Sequence, residues 1–591
     1  MIEARFDDLS GASESFRLVG PVGVLEALRP GEVAGAIAAA EGAAARGLWV
    51  AGFVAYEAAA GLDASMTVRE RTAADPFARL PLAWFAMFED REPTVLPEPA
   101  DAAAAGPAGA WRPSVERAAY DAVIARIRGH IAAGDTYQVN HTLRLRSRVE
   151  GDERGLYRDL CYAQRGAYAG YLNLGRYRVL SASPELFFRI DGARITTKPM
   201  KGTARRGRWS AEDDAVAAGL RGSVKDRAEN AMIVDLLRND MGRVARTGSV
   251  TWSDVFDLER YETVWQLTST VSAELDGATS LVDVFRALFP CGSVTGAPKV
   301  RTMQLIAELE DSPRGVYCGA VGFLAPNGAA GASARFNVPI RTVVLDTETH
   351  VAEYGVGGGI TWGSDAQGEY DEVIAKAQVL TARRPRFQLY ETLRHDPGPG
   401  FAHLDRHLRR LRESAAYFGF PVDETAIVDA LERASAKVSD RSARVRVALD
   451  RQGRIDVGAT ALVTSPERVR VAVDEGHAVD RTDPMLFHKN SLRAVYDEAR
   501  ARHPDADDVL LTNDRGEVTE STIANVAVSI GGRWLTPPLD AGLLPGVGRE
   551  VALEEGWLAE GSIRVEDLAR ADAIELVSDV RGRRPVVLVR R

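Results

Sequence analysis

Residues 382–386, ARRPR, interrupt the chain with charge and a proline, and the hydrophobic patterning starts afresh behind them. A break at that position fits two units better than one continuous core across the 591 residues. It sets about 380 residues against about 200, two unequal units by the usual domain sizes. No short-period repeat joins them, so a solenoid does not fit. Hydrophobic residues make up 46% and charged residues 26%, which excludes a disordered or collagen-like chain. The net charge of -10 provides no electrostatic footprint for nucleic acid or an anionic membrane.

Each part mixes strand and helix patterns, which predicts an α/β class throughout. Residues 1–96 hold two apolar stretches, LWVAGFVAYEAA and LPLAWFAMFE, that read as core strands. An alanine-rich run within residues 1–44 reads as a helix packed on the same domain. Residues 97–112 are small, Pro-rich and nearly free of large apolar anchors, and read as a linker or surface loop. Residues 113–381 form the expected body of the first domain. A helix over 113–134 is predicted from Val115, Ala118, Ala119, Val123, Ile124 and Ile127, and Gly192 marks a hairpin. Residues 387–591 form the second domain. Cys161, Cys291 and Cys318 are too few and too scattered for a disulfide framework or a cysteine metal site. MIEARFDDLSG lacks a signal peptide's basic start and apolar run, and no apolar stretch approaches ~18 residues, so a cytoplasmic location is expected.

Four segments in the first part carry chemistry. A helix over 369–381 places Glu369, Glu372 and Lys376 on one face, directly behind the glycine-rich bend GVGGGITWGSD. Carboxylates there could hold Mg²⁺, which takes oxygen ligands and shares them with substrate; a solvated charged face is the alternative. In KDRAENAMIVDLLRND, Glu229 lies on the line of Ile233 and Leu236, and a carboxylate on an apolar face needs an ion pair or a metal. In TTKPMKGTARRG, Lys201 is a candidate nucleophile or a plain surface lysine. Glu185 precedes Leu186-Phe187-Phe188 on a strand, where burial would tune its acidity.

The segments SASPELFF, KPMKGTARRG, KDRAENAMIVDLLRNDMGRV, FPCGSVTGAPKVRTMQLIAELE, RGVYCGAVGF, FNVPIRT and YGVGGGITWGSDAQGEYDEVIAKA, in this order, resemble the motifs of the chorismate-utilising enzymes over residues 45–381. The resemblance implies a two-sheet α/β sandwich that binds chorismate and Mg²⁺. Anthranilate synthases carry PIAGT and aminodeoxychorismate synthases PIKGT; PMKGT here is similar to the latter. By motif position Lys201 then attacks the substrate ring and Glu185 is the general acid/base. The resemblance likewise implies that Glu229 and Glu372 hold Mg²⁺, with Glu369 as a further or water-mediated ligand. Arg341, Lys376 and the backbone of Gly357, Gly358 and Gly359 grip the carboxylates, with Tyr317 and Ser293 lining the pocket. One position departs from the pattern: Gln266 stands where many relatives have histidine, and glutamine cannot act as an acid near pH 7. No glutaminase nucleophile elbow is present, so a separate glutamine amidotransferase subunit is implied as the ammonia source.

In the second part, Lys489 stands at a strand-to-helix transition in HKNSLRAVYDEARA, and Glu520 precedes an apolar strand in EVTESTIANVAVSI. LLPGVGRE places Gly546, Val547 and Gly548 at a helix start, where free N–H groups suit a phosphate. Lysine, acid and phosphate cradle are the parts a pyridoxal 5'-phosphate enzyme requires. With FQLYETLR and HLDRHLRRLRESAAYFGFP, these segments resemble the fold-type IV pyridoxal phosphate enzymes. The resemblance makes Lys489 the cofactor lysine and Glu520 the partner of the ring nitrogen. Arg410, Val547, Gly548 and, more weakly, Ser578 become the phosphate contacts. The adjacent Asp579 departs from the family pattern, since an aspartate repels phosphate. Relatives commonly pair through this domain, so a homodimer is the expectation. Fusion to the first half favours 4-amino-4-deoxychorismate lyase, giving 4-aminobenzoate for folate. The alternatives are a D-amino acid or branched-chain aminotransferase here, an anthranilate synthase first half, or a silent scaffold for the glutaminase.

Overall fold

The computed structural model describes residues 2–11, 14–98, 109–326, 333–381, 386–438, 440–463 and 466–589. Most of the expected linker 97–112, and all but Arg386 of the break 382–386, lie outside the described residues. Two compact units emerge. The first runs to Arg205 and resumes from Ala217 to Arg386; the second combines Arg206–Val216 with Phe387–Arg591.

Among the described residues the first unit is a hydrogen-bonded network of 18 strands with helices against it. Period-two alternation divides its apolar side chains between two cores. Along Trp49–Val54, Trp49, Ala51 and Phe53 enter one core, while Val50 and Val54 enter the other. Tyr177–Ser183 behaves alike, with Tyr177 and Val179 on one side and Leu180 and Ala182 on the other. The first core is built almost wholly from strands, with Phe6, Phe16, Trp49 and Phe323 in mutual ring contact. The second takes in helices Val33–Ala45, Arg117–Ala132, Glu153–Gln164, Val224–Gly242, Leu281–Leu288 and Lys299–Leu309. Sheet thus meets sheet on one side and helix on the other.

The helices differ in detail from expectation. Residues 112–113 pair as a strand with 145–146, and the helix expected from 113 begins at Arg117; it buries Tyr120, Ile124 and Ile127. The helix expected over 369–381 spans Ala366–Ala377, because the Asp365 carboxylate caps it by accepting the Gly368 N–H at 2.9 Å. Of its apolar positions Val373 is buried, whereas Ile374 is 47% exposed.

The second unit has a four-stranded antiparallel sheet in the order Gly400–Phe401, Leu389–Asp396, Ala443–Leu449, Ile455–Ala461. Helices Leu404–Phe418 and Glu424–Ser435 bury their apolar faces against it. An eight-stranded mixed sheet completes the unit, with Val469–Val479 between Asp508–Asn513 and Gly582–Leu588. Residues 206–216 are part of this packing: the Arg206 guanidinium lies 4.2 Å over the Tyr417 ring and Trp209 rests on Phe487. Nothing in the sequence pattern announced that excursion.

Candidate active sites

In the first unit the paired strands Gln138–Arg148 and Val351–Ile360 carry the glycine run. Its glycines are required by close approach. A Cβ on Gly359 would stand 2.5 Å from Lys201 Nζ and 2.6 Å from Gln138 Nε2, and one on Gly357 would meet the His141 carbonyl at 2.1 Å. The helix Ala366–Ala377 follows and returns its acidic face over these glycines, so Glu369 and Glu372 come within 3.1 and 3.6 Å of the Cβ position of Gly358. Lys201 arrives on Met200–Arg205, whose pairing with Val264–Glu274 shifts register between Met200 and Thr203.

All the residues assigned to this site line one cavity of about 270 Å³: Glu185, Lys201, Glu229, Gln266, Ser293, Tyr317, Arg341, Gly357, Gly358, Gly359, Glu369, Glu372 and Lys376. Glu185 is 3% exposed, and burial pushes its carboxyl up to about 7 against the opposing influence of Ser293 and Lys201. Its Oε1 is buried with no hydrogen-bond partner. Lys201 Nζ stands 3.8 Å from Glu229 Oε2. Lys376 Nζ donates to the Gly357 carbonyl at 2.7 Å and pairs with Glu372 at 2.5 Å. Burial alone would raise Glu372, but the Lys376 ammonium outweighs it and holds that carboxyl below its usual range. Glu369 is raised, first by burial and then by Glu372. Arg341 donates to the Lys376 carbonyl. Gln266 accepts a hydrogen bond from the Thr203 hydroxyl at 3.1 Å, so its place is a hydrogen-bonding one.

The three carboxylates assigned to Mg²⁺ share the cavity, yet among the described residues no three acidic, His or Cys groups are gathered tightly enough to hold an ion. Glu229 and Glu372 lean instead toward the nearest ammonium. The donor chemistry still fits Mg²⁺: every candidate is a carboxylate, and the like-charged pair Glu369 and Glu372 is one a divalent cation would relieve. The sequence reading missed Gln138, whose amide N and O are both buried without partners beside Gly359. It also missed Asn230, which donates to the Lys201 carbonyl at 3.4 Å and accepts from Ser269 at 2.6 Å.

In the second unit Arg410, Lys489, Glu520, Val547, Gly548 and Ser578 line a cavity of about 320 Å³. Lys489 is buried with its Nζ 5.0 Å from the Tyr390 ring centre; burial and then the Arg410 charge bring its ammonium down to about 8. Burial raises Glu520 to about 7, although it accepts from the Tyr496 hydroxyl at 2.9 Å and the Leu544 N–H at 3.2 Å. Helix Val547–Glu554 has Gly546 as its N-cap. A Cβ on Gly548 would stand 2.7 Å from the Asp579 nitrogen, so only glycine brings this helix start against the 578–579 turn.

Two expectations change here. Arg410 does not point its whole fork at a phosphate. It forms a two-pronged pair with Glu391, at 2.8 and 2.7 Å, and donates to the Pro545 carbonyl at 2.9 Å. Asp579 is not an uncompensated repulsive charge, because His403 Nδ1 lies 2.6 Å and His407 Nε2 3.0 Å from its oxygens. His407 Nδ1 meets Glu391 at 2.8 Å, and although burial opposes its charge, the two acids raise its pKa. Neither pairing has a sequence signature, because the partners are far apart in the chain. The residues fit pyridoxal phosphate: a buried lysine easily freed of its proton, an acid opposite, and a glycine-lined helix start that a Cβ would close.

The family model described as chorismate binding enzyme matches residues 23–382, and the one described as amino-transferase class IV matches 388–589. This chain belongs to the chorismate-binding enzymes and carries a class IV aminotransferase fold behind that domain. It is 44% identical over 291 residues to an aminodeoxychorismate synthase of Streptomyces griseus, covering 49% of this chain and 39% of that one. It is 40% identical over 272 residues to aminodeoxychorismate synthase component 1 of Salmonella typhimurium, 46% of this chain and 58% of that protein. The chain thus spans less than two thirds of the length of either relative. Among solved structures, anthranilate synthase component I from Streptococcus pneumoniae superposes with a TM-score of 0.53 at 26% identity, over 63% of this chain and 93% of that one. No helix among the described residues is long and apolar enough to cross a membrane.

Proposed function

We propose that the chain makes 4-aminobenzoate in two steps: amination of chorismate to 4-amino-4-deoxychorismate in the first unit, then loss of pyruvate in the second. The observation that carries this reading is the convergence of Lys201, Glu185, Glu229, Glu369, Glu372 and Lys376 on one cavity. The Lys201 amine attacks C2 of the ring as the 4-hydroxyl leaves, and ammonia adds at C4 and expels the lysine. Glu185, half protonated near pH 7, gives the departing hydroxyl its proton, so water leaves as Lys201 attacks, and the carboxylate left behind takes a proton from the ammonia that then adds. Glu229, Glu369 and Glu372 would hold Mg²⁺, which supplies charge neutralisation at the substrate carboxylates. Lys376, Arg341 and the glycine backbone orient those carboxylates. A glutamine amidotransferase subunit supplies the ammonia, a partner that fits the "component 1" name of the Salmonella relative.

In the second unit Glu520 would face the cofactor's ring nitrogen, and Ser578 and the amides of Val547 and Gly548 its phosphate, with Arg410, held by Glu391, adding positive charge beside them. Bound there, pyridoxal phosphate supplies an electron sink. Lys489 takes up the C4 proton, pyruvate departs, and the ring becomes aromatic. The setting is the cytoplasm, with two chains paired through this unit. The test is chromatography of the products from chorismate, Mg²⁺, ammonium and pyridoxal phosphate. Equal 4-aminobenzoate and pyruvate is the expected result. Anthranilate would overturn the first assignment; a keto acid formed only with an added amino donor would make the second unit an aminotransferase.

A further inference from the structure

The strand Gly582–Leu588 turns alternate side chains to opposite faces. Arg583 goes outward, pairs with Glu575 at 2.5 Å and lies 4.1 Å over the Trp557 ring. Arg584 goes inward, is only 7% exposed, and lines the Lys489 cavity together with Arg581 from the preceding turn. The Nε atoms of both inward arginines are buried without a hydrogen-bond partner. Among the described residues neither guanidinium has an ion pair. The acids around them are committed elsewhere: Asp579 to His403 and His407, Glu520 to Tyr496 and Leu544, and Asp508 to the hydroxyls of Ser521 and Thr522. Burial and the Arg581 charge together lower the proton affinity of Arg584, as expected of two cations side by side with no anion between them.

A buried, unpaired guanidinium is costly, and its planar fork matches a carboxylate. The phosphate end already has its own donors at Val547, Gly548 and Ser578. We infer that Arg581 and Arg584 form a carboxylate subsite, so that the second unit takes amino compounds bearing two carboxylates rather than monocarboxylic amino acids. This rests on the lyase reading and deepens it, because the product of the first unit keeps both a ring carboxylate and an enolpyruvyl carboxylate.

The test uses the full chain loaded with pyridoxal phosphate, reading the absorbance of the bound cofactor, which reports the second unit alone. Isophthalate and benzoate serve as two- and one-carboxylate probes. Wild type should bind isophthalate tighter by about tenfold or more, the worth of a charged hydrogen-bonded pair. Arg584→Met and Arg581→Met should each erase that preference and leave cofactor affinity unchanged, while Arg584→Lys should retain part of it. Without cofactor or probe, Arg584→Met should not lower the melting temperature, because it removes an uncompensated charge. Equal affinity for both probes in wild type would overturn the inference. So would a loss of cofactor affinity in the variants, which would assign the pair to the phosphate. A wild-type preference erased in the variants, with no 4-aminobenzoate formed from chorismate, would keep the subsite and reject the lyase reading.

Discussion

Each cavity places a lysine at its chemistry, but the charges gathered around the two lysines differ: carboxylates in the first, guanidinium groups in the second. Lys201 shares its cavity with Glu185, Glu229, Glu369 and Glu372, and an acid stands 3.8 Å from its nitrogen. Lys489 shares its cavity with Arg410, Arg444, Arg446, Arg493, Arg581 and Arg584, and among the described residues no carboxylate stands within ion-pair range of it. The difference fits what the proposed reactions require of each. A site that binds a divalent cation along with an anionic substrate needs carboxylates to hold the metal. A site that binds a phosphate and carboxylates needs cations, and those cations also lower the proton affinity of its lysine.

Removing either lysine tests the contrast most harshly. Lys201→Ala should cut chorismate consumption toward the aminated product by about a thousandfold or more, and Lys489→Ala should do the same to pyruvate release. Each variant should leave the other reaction intact, with pyruvate release by Lys201→Ala measured on supplied 4-amino-4-deoxychorismate and ammonia uptake by Lys489→Ala measured on chorismate; loss of both reactions in either variant under those assays breaks the division.

Glu185→Gln should slow amination by about 10²–10⁴-fold. In wild type the acid form of Glu185 disappears as pH rises through about 7. The rate should fall on that limb, and the limb should be absent from the residual activity of the variant.

The acidic cavity predicts a smaller effect on metal. Glu372→Gln should raise the Mg²⁺ concentration for half-maximal amination beyond the ~10- to 100-fold that loss of an outer partner costs, and leave the lyase step untouched. In the cationic cavity, Gly548→Ala forces a Cβ to within 2.7 Å of the Asp579 nitrogen. Overpacking of about 1–3 kcal/mol should weaken cofactor binding about tenfold, measured by absorbance titration. Gln266→His should change amination by about twofold, near 0.5 kcal/mol, because Gln266 acts by hydrogen bonding to Thr203.

Local spacing explains what could be read in advance. Glu369, Glu372 and Lys376 share a face because three- and four-residue steps stack on a helix, and the structure puts all three in one cavity. The helix start at Val547 was visible in its glycines. The earlier start at Ala366 also had a signal, an aspartate three residues before Gly368, that went unused. Gln138, the pairing of His407 with Asp579, and the inward pair Arg581 and Arg584 had none, because each depends on which strands lie side by side. Only the placement of Gly582–Leu588 beside Lys489 separates Arg584 from Arg583.

The central claim is that one chain divides a two-step synthesis between these lysines. It is tested most directly by giving Lys489→Ala chain chorismate, ammonium and Mg²⁺, removing it by filtration, and treating the filtrate with Lys201→Ala chain and pyridoxal phosphate. The account predicts an aminated chorismate in the filtrate that the second chain converts to equal amounts of 4-aminobenzoate and pyruvate. Anthranilate in the filtrate, or an aminated compound that the second chain leaves unchanged, would contradict it.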